Sequence, residues 1–471
     1  MRLGIVPLAL IATVLVPVVA SADSNCGASN GQTLCVTVPG SPLTGDTDVT
    51  VTNSPNTGVV IATWLPAGGT STQLIESFAP SPATTNYSFV WPTQKYLDAS
   101  GTLRLQAGTT AATPVDLAVT LSNGNATDVQ HTSNDWASYL PGAWTSPNDP
   151  TVLAVGDGPS NEVTSNAVAA RIASVDPPLF LFLGDVYETG SFTEFRNHYG
   201  VSSLDAPGSS TLWGATADVT QPTIGNHENA STTPFIDYWH QRPLFTKFTF
   251  GGVLFLDMNT NKSLKPGTRQ YRFIQTAVTD PAAPSCIVAY WHKPAVKNNT
   301  QVIASLSQAW ALLANNGVDL LLAGNQHHMV EDKPLDANFT AGTPQAHLVQ
   351  LVAGSGGHQL AGVSGTPPGS RIAWSKGKTA GYLALTLNGA AGGNAATSIG
   401  WQVQNVNGRL PTVRLRRLLT GARGSSFERG DGARSSAPIG LDPDIRRGWT
   451  RETTVVAVYG CCHRFRIARE G

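Results

Sequence analysis

The sequence has little charge of either sign. Of its 471 residues only 13% are Asp, Glu, Lys or Arg, and the formal net charge is −1. The charged share is about half of the usual quarter. A chain so balanced has no global basic field to gather nucleic acid or an anionic membrane, so neither partner is predicted. The 41% of hydrophobic residues excludes disorder throughout, and the length predicts two or three domains.

A long apolar run occurs only at the N-terminus. Arg2 is followed by the uncharged residues 3–20 and by the small-x-small pattern Ala20-Ser21-Ala22. This pattern predicts a signal peptide over residues 1–22 and a secreted, cell-surface or periplasmic protein. A membrane anchor is the alternative, because a run of this length nearly spans a bilayer. Pro7, Pro17 and the missing cationic flank count against it, so no anchor is predicted after signal removal.

Cysteine is scarce, with five in the whole chain. In an oxidising compartment Cys26 and Cys35 can close a short loop. Cys286 lies in an apolar run and is predicted to be a small buried side chain rather than a nucleophile. None of the cysteine spacings fits a zinc-thiolate site.

Composition changes along the chain predict three segments after the leader. Residues 23–145 hold short alternating runs between turn residues, which predicts a β-sandwich domain. Residues 151–409 hold wholly apolar strands between helical stretches, which predicts an α/β layered domain. Residues 410–471 hold 12 of the 30 basic residues, all arginine. This tail is predicted to be solvated and disordered, and a basic contact patch or a stretch foreign to the fold are the alternatives.

Within 151–409 the apolar runs fall into two groups. Helical stretches are predicted at 161–175 and 301–315. The first strands are predicted at 151–155, 179–183, 253–257, 287–291 and 320–323. Later runs at 346–352, 382–387 and 399–406 are predicted to form a second sheet that completes the core.

Potential metal ligands follow the strand ends. Ligands bind outside the carboxyl ends of the strands in such a layered fold, because side chains from several loops converge there. Each motif alone is common, but five in succession predict one site. They are Gly156-Asp157, Gly184-Asp185-Val186-Tyr187-Glu188, Gly225-Asn226-His227-Glu228, His292 and Gly324-Asn325-Gln326-His327-His328.

This order of motifs resembles the calcineurin-like metallophosphoesterases, especially their purple acid phosphatase branch. The resemblance covers roughly residues 151–406, and Gly225-Asn226-His227-Glu228 is its most specific part. It implies a four-layer αββα core with a dinuclear metal centre. In such a centre two ions acidify a bound water and clamp the phosphate oxygens during in-line attack.

The resemblance also implies roles for individual residues. Asp185 is expected to bridge the two ions, which would be iron paired with zinc, manganese or a second iron. His227 is expected to stabilise or protonate the leaving oxygen rather than to bind metal. The implied ligands are Asp157, Tyr187 and His327 for one ion, and Asn226, His292 and a residue of the Asn325 turn for the other.

Two positions depart from the pattern of that family. Tyr187 stands two residues after Asp185 instead of three, and Glu188 occupies the third place, where it is expected to orient His227. Asn325 stands where the family has a histidine, and amides bind soft divalent ions less well than imidazoles do. In an alternative register His328 takes the place of the second histidine and Gln326 that of the first.

The predicted function follows from the resemblance. The chain is expected to be a secreted metal-dependent phosphoric ester hydrolase, in which a metal-bound water attacks a small phosphate ester. An acid-phosphatase-like phosphomonoesterase is the primary expectation, with phosphodiesterase activity as a second one. The alternative is a catalytically degenerate binding protein that keeps the fold.

Overall fold

The structure of the protein is a computed structural model, in which strands outnumber helices. It describes residues 22–55, 58–68, 72–78, 86–124, 135–297, 301–363, 371–406 and 457–460. The predicted signal peptide therefore lies outside the described residues except for Ala22, and so does the predicted tail except for 457–460. No helix in the described part of the chain is long and apolar enough to cross a membrane.

The chain divides into two units, residues 1–127 and 128–471. The strands of the first unit are β1 Asp23–Ser29, β2 Gln32–Val38, β3 Asp46–Ser54, β4 Val60–Pro66, β5 Gln73–Phe78, β6 Asn86–Pro92, β7 Ser100–Ala107 and β8 Val115–Thr120. They form two four-stranded sheets, in the orders β1-β2-β3-β6 and β5-β4-β7-β8. A short helical turn, Thr93–Lys95, follows β6.

Alternation along the strands builds the core of the first unit. In β3 the buried Thr47, Val49 and Val51 alternate with more exposed polar residues, as expected for a strand with one face on a core. Apolar side chains from both sheets join one buried cluster that includes Val51 and Trp64, so the predicted β-sandwich is confirmed. Cys26 and Cys35 face each other on β1 and β2 and form the predicted disulfide.

The second unit contains fifteen described strands and five helices. The strands are β9 Thr151–Val155, β10 Phe180–Phe182, β11 Thr220–Pro222, β12 Thr246–Phe250, β13 Val253–Met258, β14 Cys286–Trp291, β15 Val296–Lys297, β16 Gln301–Val302, β17 Leu320–Ala323, β18 Met329–Asp332, β19 Val349–Ala353, β20 Ile372–Lys376, β21 Gly381–Asn388, β22 Ser398–Asn405 and β23 Ala457–Gly460. The helices are α1 Val163–Val175, α2 Phe192–Glu194, α3 Thr233–Tyr238, α4 Arg269–Thr279 and α5 Ser307–Asn315. Segments of 3₁₀-helix span Trp136–Tyr139, Leu212–Val219, Ala304–Leu306 and Ala391–Gly393, and a π-helical turn spans Phe195–Tyr199.

Two large sheets form the centre of this unit. Their strand orders are β11-β10-β9-β21-β22-β23 and β12-β13-β14-β17-β19-β18-β20. Side chains of both sheets, such as Leu385 and Val288, share one buried cluster between them. Helix α1 covers the outer face of the six-stranded sheet, and α4 and α5 cover the outer face of the seven-stranded sheet. The result is four layers in the order αββα, which confirms the predicted fold class.

The assignment of strands to sheets differs from the prediction. Strand β9 pairs with the late strand β21, whereas β17 pairs with β19, so each sheet combines early and late strands. Apolar runs reveal that a strand is buried on both faces but not which strand it pairs with. The predicted helix over 301–315 is also shorter in the structure, because Gln301–Val302 forms β16 and α5 begins at Ser307.

A buried acid on β18 gives the fold a pH-dependent stability. Asp332 is almost fully buried, and burial raises its pKa to about 8 although Gln350 Nε2 donates to its Oδ2 over 2.7 Å. An unfolded aspartate titrates near pH 4, so the folded chain holds a proton that the unfolded chain releases between about pH 4 and 8. Stability contributed by this group is present below that window and is lost as the pH rises, by at most about 1.4 kcal/mol per pH unit.

We therefore expect Asp332→Asn to reduce this loss of stability. The amide keeps an oxygen for Gln350 and cannot ionise, so the free energy of unfolding should fall less steeply between pH 5 and 8 than in the wild type. Urea denaturation at several pH values measures the difference in slope. Parallel curves for the two proteins would show that Asp332 does not change its protonation on folding.

Candidate metal centre

The predicted ligands come together at the carboxyl ends of strands from both large sheets. Asp157 follows β9 and Asp185 follows β10, while His292 comes directly after β14. Potential ligand atoms of these three buried residues all lie within 4.8 Å of one another. Strand ends from two sheets thus place two carboxylates and an imidazole at one point.

Local backbone conformation explains the residue types in these turns. Asp157, Asp185 and Asn325 all have positive φ angles, of 60°, 72° and 63°. Among residues with a Cβ, Asp and Asn adopt this left-handed region most readily. The neighbouring glycines are needed for space, because a Cβ on Gly225 would lie 2.0 Å from Asp185 Oδ1 and one on Gly324 would lie 2.6 Å from Asp157 Oδ2.

Asp185 occupies the middle of the cluster. Its Oδ2 lies 3.1 Å from His292 Nε2 on one side and 3.1 Å from the Tyr187 hydroxyl oxygen on the other. Its Oδ1 accepts from the main-chain N–H of His227 at 3.0 Å. The carboxylate therefore contacts both predicted ligand groups.

The first predicted ligand group surrounds the hydroxyl of Tyr187. This hydroxyl donates to Asp157 Oδ1 at 2.9 Å and lies 3.0 Å from His327 Nε2. His327 Nε2 also lies 3.6 Å from Asp157 Oδ1. The other nitrogen of His327 faces the carbonyl of Gln359 at 3.1 Å. A proton on that nitrogen leaves Nε2 with its lone pair toward the cluster, the orientation that metal-bound histidines need.

The second predicted ligand group consists of His292 and Asn226. His292 Nε2 lies 3.1 Å from Asn226 Oδ1, and its Nδ1 faces the carbonyl of Leu183 at 2.7 Å. As at His327, a main-chain carbonyl fixes one ring nitrogen and directs the other into the cluster.

Burial and the pairing of opposite charges shift the pKa values of the three buried residues. Burial opposes the charged form of Asp185, but His292 outweighs it and holds the pKa of that carboxyl well below its usual range. Burial likewise disfavours the charged form of His292, and the Asp185 carboxylate reverses this and raises the histidine pKa to about 9. Asp157 has its pKa raised, first by burial and then by the charge of Asp185. The opposite charges of Asp185 and His292 thus stabilise each other at the position where a cation would bind.

The residues present fit metal ions. The Tyr187 hydroxyl has a single proton, yet Asp157 Oδ1, Asp185 Oδ2 and His327 Nε2 all lie within 3.1 Å of it. With the His327 proton on Nδ1, beside the Gln359 carbonyl, three acceptors face the single phenol proton, an arrangement that a shared cation would stabilise. Carboxylate, phenol, imidazole and amide donors together suit iron, zinc and manganese.

The Asn325 turn contacts the cluster through its main chain. The amide N–H of Asn325 donates to Asp157 Oδ2 at 2.7 Å. In the same turn His327 contacts Asp157 and Tyr187, whereas His328 is buried away from them with Nδ1 unpaired among the described residues. Burial, and then the charge of His327, lowers the pKa of His328 to about 4. The arrangement thus corresponds to the register in which His327 is the ligand candidate.

His227 lies at the accessible side of the cluster. Its side chain is 29% exposed, and its Nε2 lies 3.9 Å from Asp185 Oδ2. Its Nδ1 contacts the main-chain carbonyl of Glu188. Glu188 therefore contacts His227 through its main-chain carbonyl, while the Glu188 carboxylate lies 3.3 Å from His358 Nε2. The sequence could not reveal that the carbonyl and the carboxylate of Glu188 contact two different histidines.

Sequence reasoning missed the structural role of Glu228. This fully buried carboxylate accepts from the main-chain N–H of Val186 at 2.5 Å and from that of Gly225 at 2.9 Å. It thereby joins the loop that carries Asp185 to the loop that carries Asn226. Burial, followed by the charge of Asp185, raises the pKa of Glu228 to about 8. The only signal in the sequence was its place at the end of the Gly225-Asn226-His227-Glu228 motif.

We expect Glu228→Ala to destabilise the chain and loosen the centre. Removing the carboxylate leaves two buried N–H groups without an acceptor, at a cost of roughly 1–3 kcal/mol each. Glu228→Gln retains one acceptor oxygen and should lose about half as much. Urea denaturation of the metal-free proteins measures both effects, and wild-type stability of Glu228→Ala would exclude this role.

Of the known proteins compared with this chain, only solved structures match it. No family model and no curated protein matches the sequence. The chain is similar to a purple acid phosphatase isolated from yellow lupin (Lupinus luteus) seeds, with 12% identity, a TM-score of 0.44 and coverage of 81% of this chain and 78% of that chain. It is also similar to GAP50, the anchor in the inner membrane complex of Plasmodium, with 12% identity, a TM-score of 0.42 and coverage of 56% of this chain and 87% of that chain.

The four-layer core and the strand-end cluster agree with the fold that the motif order predicts. At 12% identity no residue role or activity is transferred from either structure. What the chain does is therefore argued from its own side chains.

Proposed function

We propose that the chain is a metal-dependent phosphoric ester hydrolase with a dinuclear centre, acting on small phosphate esters as an acid-phosphatase-like phosphomonoesterase. The observation that carries this proposal is the position of the Asp185 carboxylate. It contacts Tyr187 on one side and His292 on the other, in a cluster where acceptors exceed donors. A carboxylate with this placement suits a bridge between two cations.

The ligand groups described above would hold the two ions. Asp157, Tyr187 and His327 would bind one of them, and Asn226 and His292 the other, with Asp185 shared. Iron paired with zinc, manganese or a second iron fits this donor set. When bound, the ions would supply an activated water nucleophile and offset negative charge on the phosphate.

The protein's own groups control access and the departure of the alcohol. Asp157, Asp185 and His292 are buried, whereas the side chains of His227 and His327 are 29% and 21% exposed. The ester would therefore approach from the side of these two histidines. His227 Nδ1 contacts the Glu188 carbonyl, so Nε2 is the ring nitrogen that would pass a proton to the leaving oxygen.

A degenerate binding protein is the second candidate function. It is favoured by Asn325, which contacts the cluster through its main-chain N–H to Asp157 instead of through an imidazole at that position. In that case the second ion would bind weakly, and the chain would retain the fold without turnover.

The cellular setting is proposed on separate grounds. The Cys26–Cys35 disulfide supports export to an oxidising compartment, as does the leader-like sequence of residues 1–22. Neither nucleic acid nor a membrane is proposed as a partner, since the formal net charge is only −1.

Phosphate release by the full chain tests the proposed function. The protein is assayed as purified, after removal of metal with a chelator, and after reloading with iron, zinc or manganese. Hydrolysis of nitrophenyl phosphate that disappears with the chelator and returns with metal supports the enzyme. A parallel assay with bis-nitrophenyl phosphate distinguishes monoesterase from diesterase activity. Bound metal without release of nitrophenol from either ester would favour the degenerate binding protein.

A further inference from the structure

A histidine outside the predicted ligand set lies flat against Tyr187. His358 follows β19 in the sequence Gly354-Ser355-Gly356-Gly357-His358. Its imidazole stacks on the Tyr187 ring with centroids 3.7 Å apart and an interplanar angle of 24°. Both side chains are almost fully buried, with exposed fractions of 4% and 1%. The ring that carries the central hydroxyl of the cluster is therefore covered by a second ring.

The loop that carries His358 is bonded to the first metal-ligand turn. The main-chain N–H of His358 donates to the carbonyl of Asp157 at 3.2 Å, and that of Gly356 donates to the carbonyl of Gly156 at 3.0 Å. Gly357 has a φ of 118°, and a Cβ there would lie 2.5 Å from the nitrogen of Ser165. The glycines let the loop approach closely enough for His358 to reach Tyr187.

Two carboxylates from separate segments flank the imidazole. His358 Nδ1 lies 2.7 Å from Glu162 Oε1, and Nε2 lies 3.3 Å from Glu188 Oε1. Glu162 directly precedes α1, and Glu188 directly follows Tyr187. A carboxylate oxygen therefore lies beside each ring nitrogen, although Nδ1 has no hydrogen bond of good geometry among the described residues, and the two acids flank the imidazole on both edges.

The orientation of the Tyr187 ring determines where its oxygen lies. The hydroxyl meets Asp157, Asp185 and His327 at 2.9 to 3.1 Å. The edge of the ring also meets His227, with centroids 4.5 Å apart at 66°. A swing of the whole ring about χ1 would carry the oxygen away from all three partners, and the imidazole of His358 on the face of the ring blocks a swing toward that side.

We propose that His358 is a positioning residue, whose stacked imidazole, flanked by Glu162 and Glu188 and anchored by its main-chain bond to Asp157, limits the swing of the Tyr187 ring so that its oxygen can bind metal. This inference rests on the proposed function, because it takes the Tyr187 oxygen to be a ligand. His358 itself binds no ion in this account. It acts only through Tyr187, which is the property that the experiment addresses.

A double-mutant cycle tests the proposal in the full, metal-stripped chain. The affinity for Zn²⁺ alone is measured by competition with a chromophoric chelator in the wild type, His358→Ala, Tyr187→Phe and the double variant. Loss of a residue that orients a ligand costs about 10- to 100-fold in metal affinity. We expect His358→Ala to weaken one of the two Zn²⁺ sites by at least tenfold, and to have no further effect when Tyr187 is already Phe.

Two more variants separate stacking from general packing. His358→Phe keeps a flat ring over Tyr187 and should bind Zn²⁺ within about threefold of the wild type, whereas His347→Ala removes a histidine elsewhere and should change nothing. Ultraviolet difference spectra should show less phenolate formed on Zn²⁺ binding in His358→Ala than in His358→Phe. If His358→Ala does not fold, Glu188→Ala removes one carboxylate from the imidazole and should weaken the site only while Tyr187 is present.

The outcomes separate this inference from the proposed function. A further tenfold loss when His358→Ala is added to Tyr187→Phe would overturn the positioning role, because His358 would then act independently of Tyr187. Wild-type affinity in His358→Ala, or an equal loss in His358→Phe, would also overturn it. Each of these results leaves a metal-binding wild type and hence the proposed function intact. A wild-type chain that binds no metal ion would overturn both.

Discussion

Asp185→Asn will lose metal from both sides of the centre. The Asp185 carboxylate contacts Tyr187 and His292, which belong to the two predicted ligand groups. A carboxylate offers two charged oxygens to a pair of cations, whereas an amide offers one neutral oxygen. Elemental analysis of the reloaded and desalted variant should find well under one metal ion per chain, and turnover should fall by about three orders of magnitude or more.

Asp332→Asn is the matched control for this variant. It also replaces a buried aspartate by an amide, but on β18 and outside the cluster, so metal content should equal that of the wild type. Two full equivalents of metal in Asp185→Asn would show that this carboxylate does not bridge the ions.

His227→Ala should have a different signature, in which metal is retained and turnover is lost. His227 approaches Asp185 through its main-chain N–H at 3.0 Å, and its Nε2 remains on the accessible side, 3.9 Å from Asp185 Oδ2. A positioned general acid contributes about 10²- to 10⁴-fold to the rate. Turnover of alkyl phosphates should therefore fall by at least about 100-fold.

The dependence on the leaving group distinguishes an acid from a mere binding contact. Nitrophenolate leaves without protonation far more readily than an alkoxide, so the loss should be smaller for nitrophenyl phosphate. His347→Ala controls for the loss of a histidine as such. Equal losses for the two substrate classes would exclude the acid role, and loss of metal would instead make His227 a ligand.

Short motifs after apolar strands made most of the cluster predictable from sequence. Asp157, Asp185 and His292 each follow such a strand, and parallel strand ends converge in a layered α/β fold. Convergence could therefore be predicted without knowing which strands pair. The structure brings these side chains together, while their role as ligands stays a prediction.

Contacts that depend on tertiary packing were not predictable. Strand pairing is one case, because β9 joins β21 from far along the chain and burial patterns do not specify partners. The contacts of Glu228 with two main-chain N–H groups are another. A glycine-rich loop before His358 predicts a turn, but nothing in its sequence reveals the ring on which the histidine stacks.

The most direct test of the dinuclear centre is anomalous scattering from crystals of the metal-loaded full chain, recorded at the absorption edge of the metal supplied. The account predicts two anomalous peaks, one beside Asp157, Tyr187 and His327 and one beside Asn226 and His292, with the Asp185 carboxylate between them. Loaded crystals with no peak at this cluster, or with a single peak that Asp185 does not contact, would contradict it.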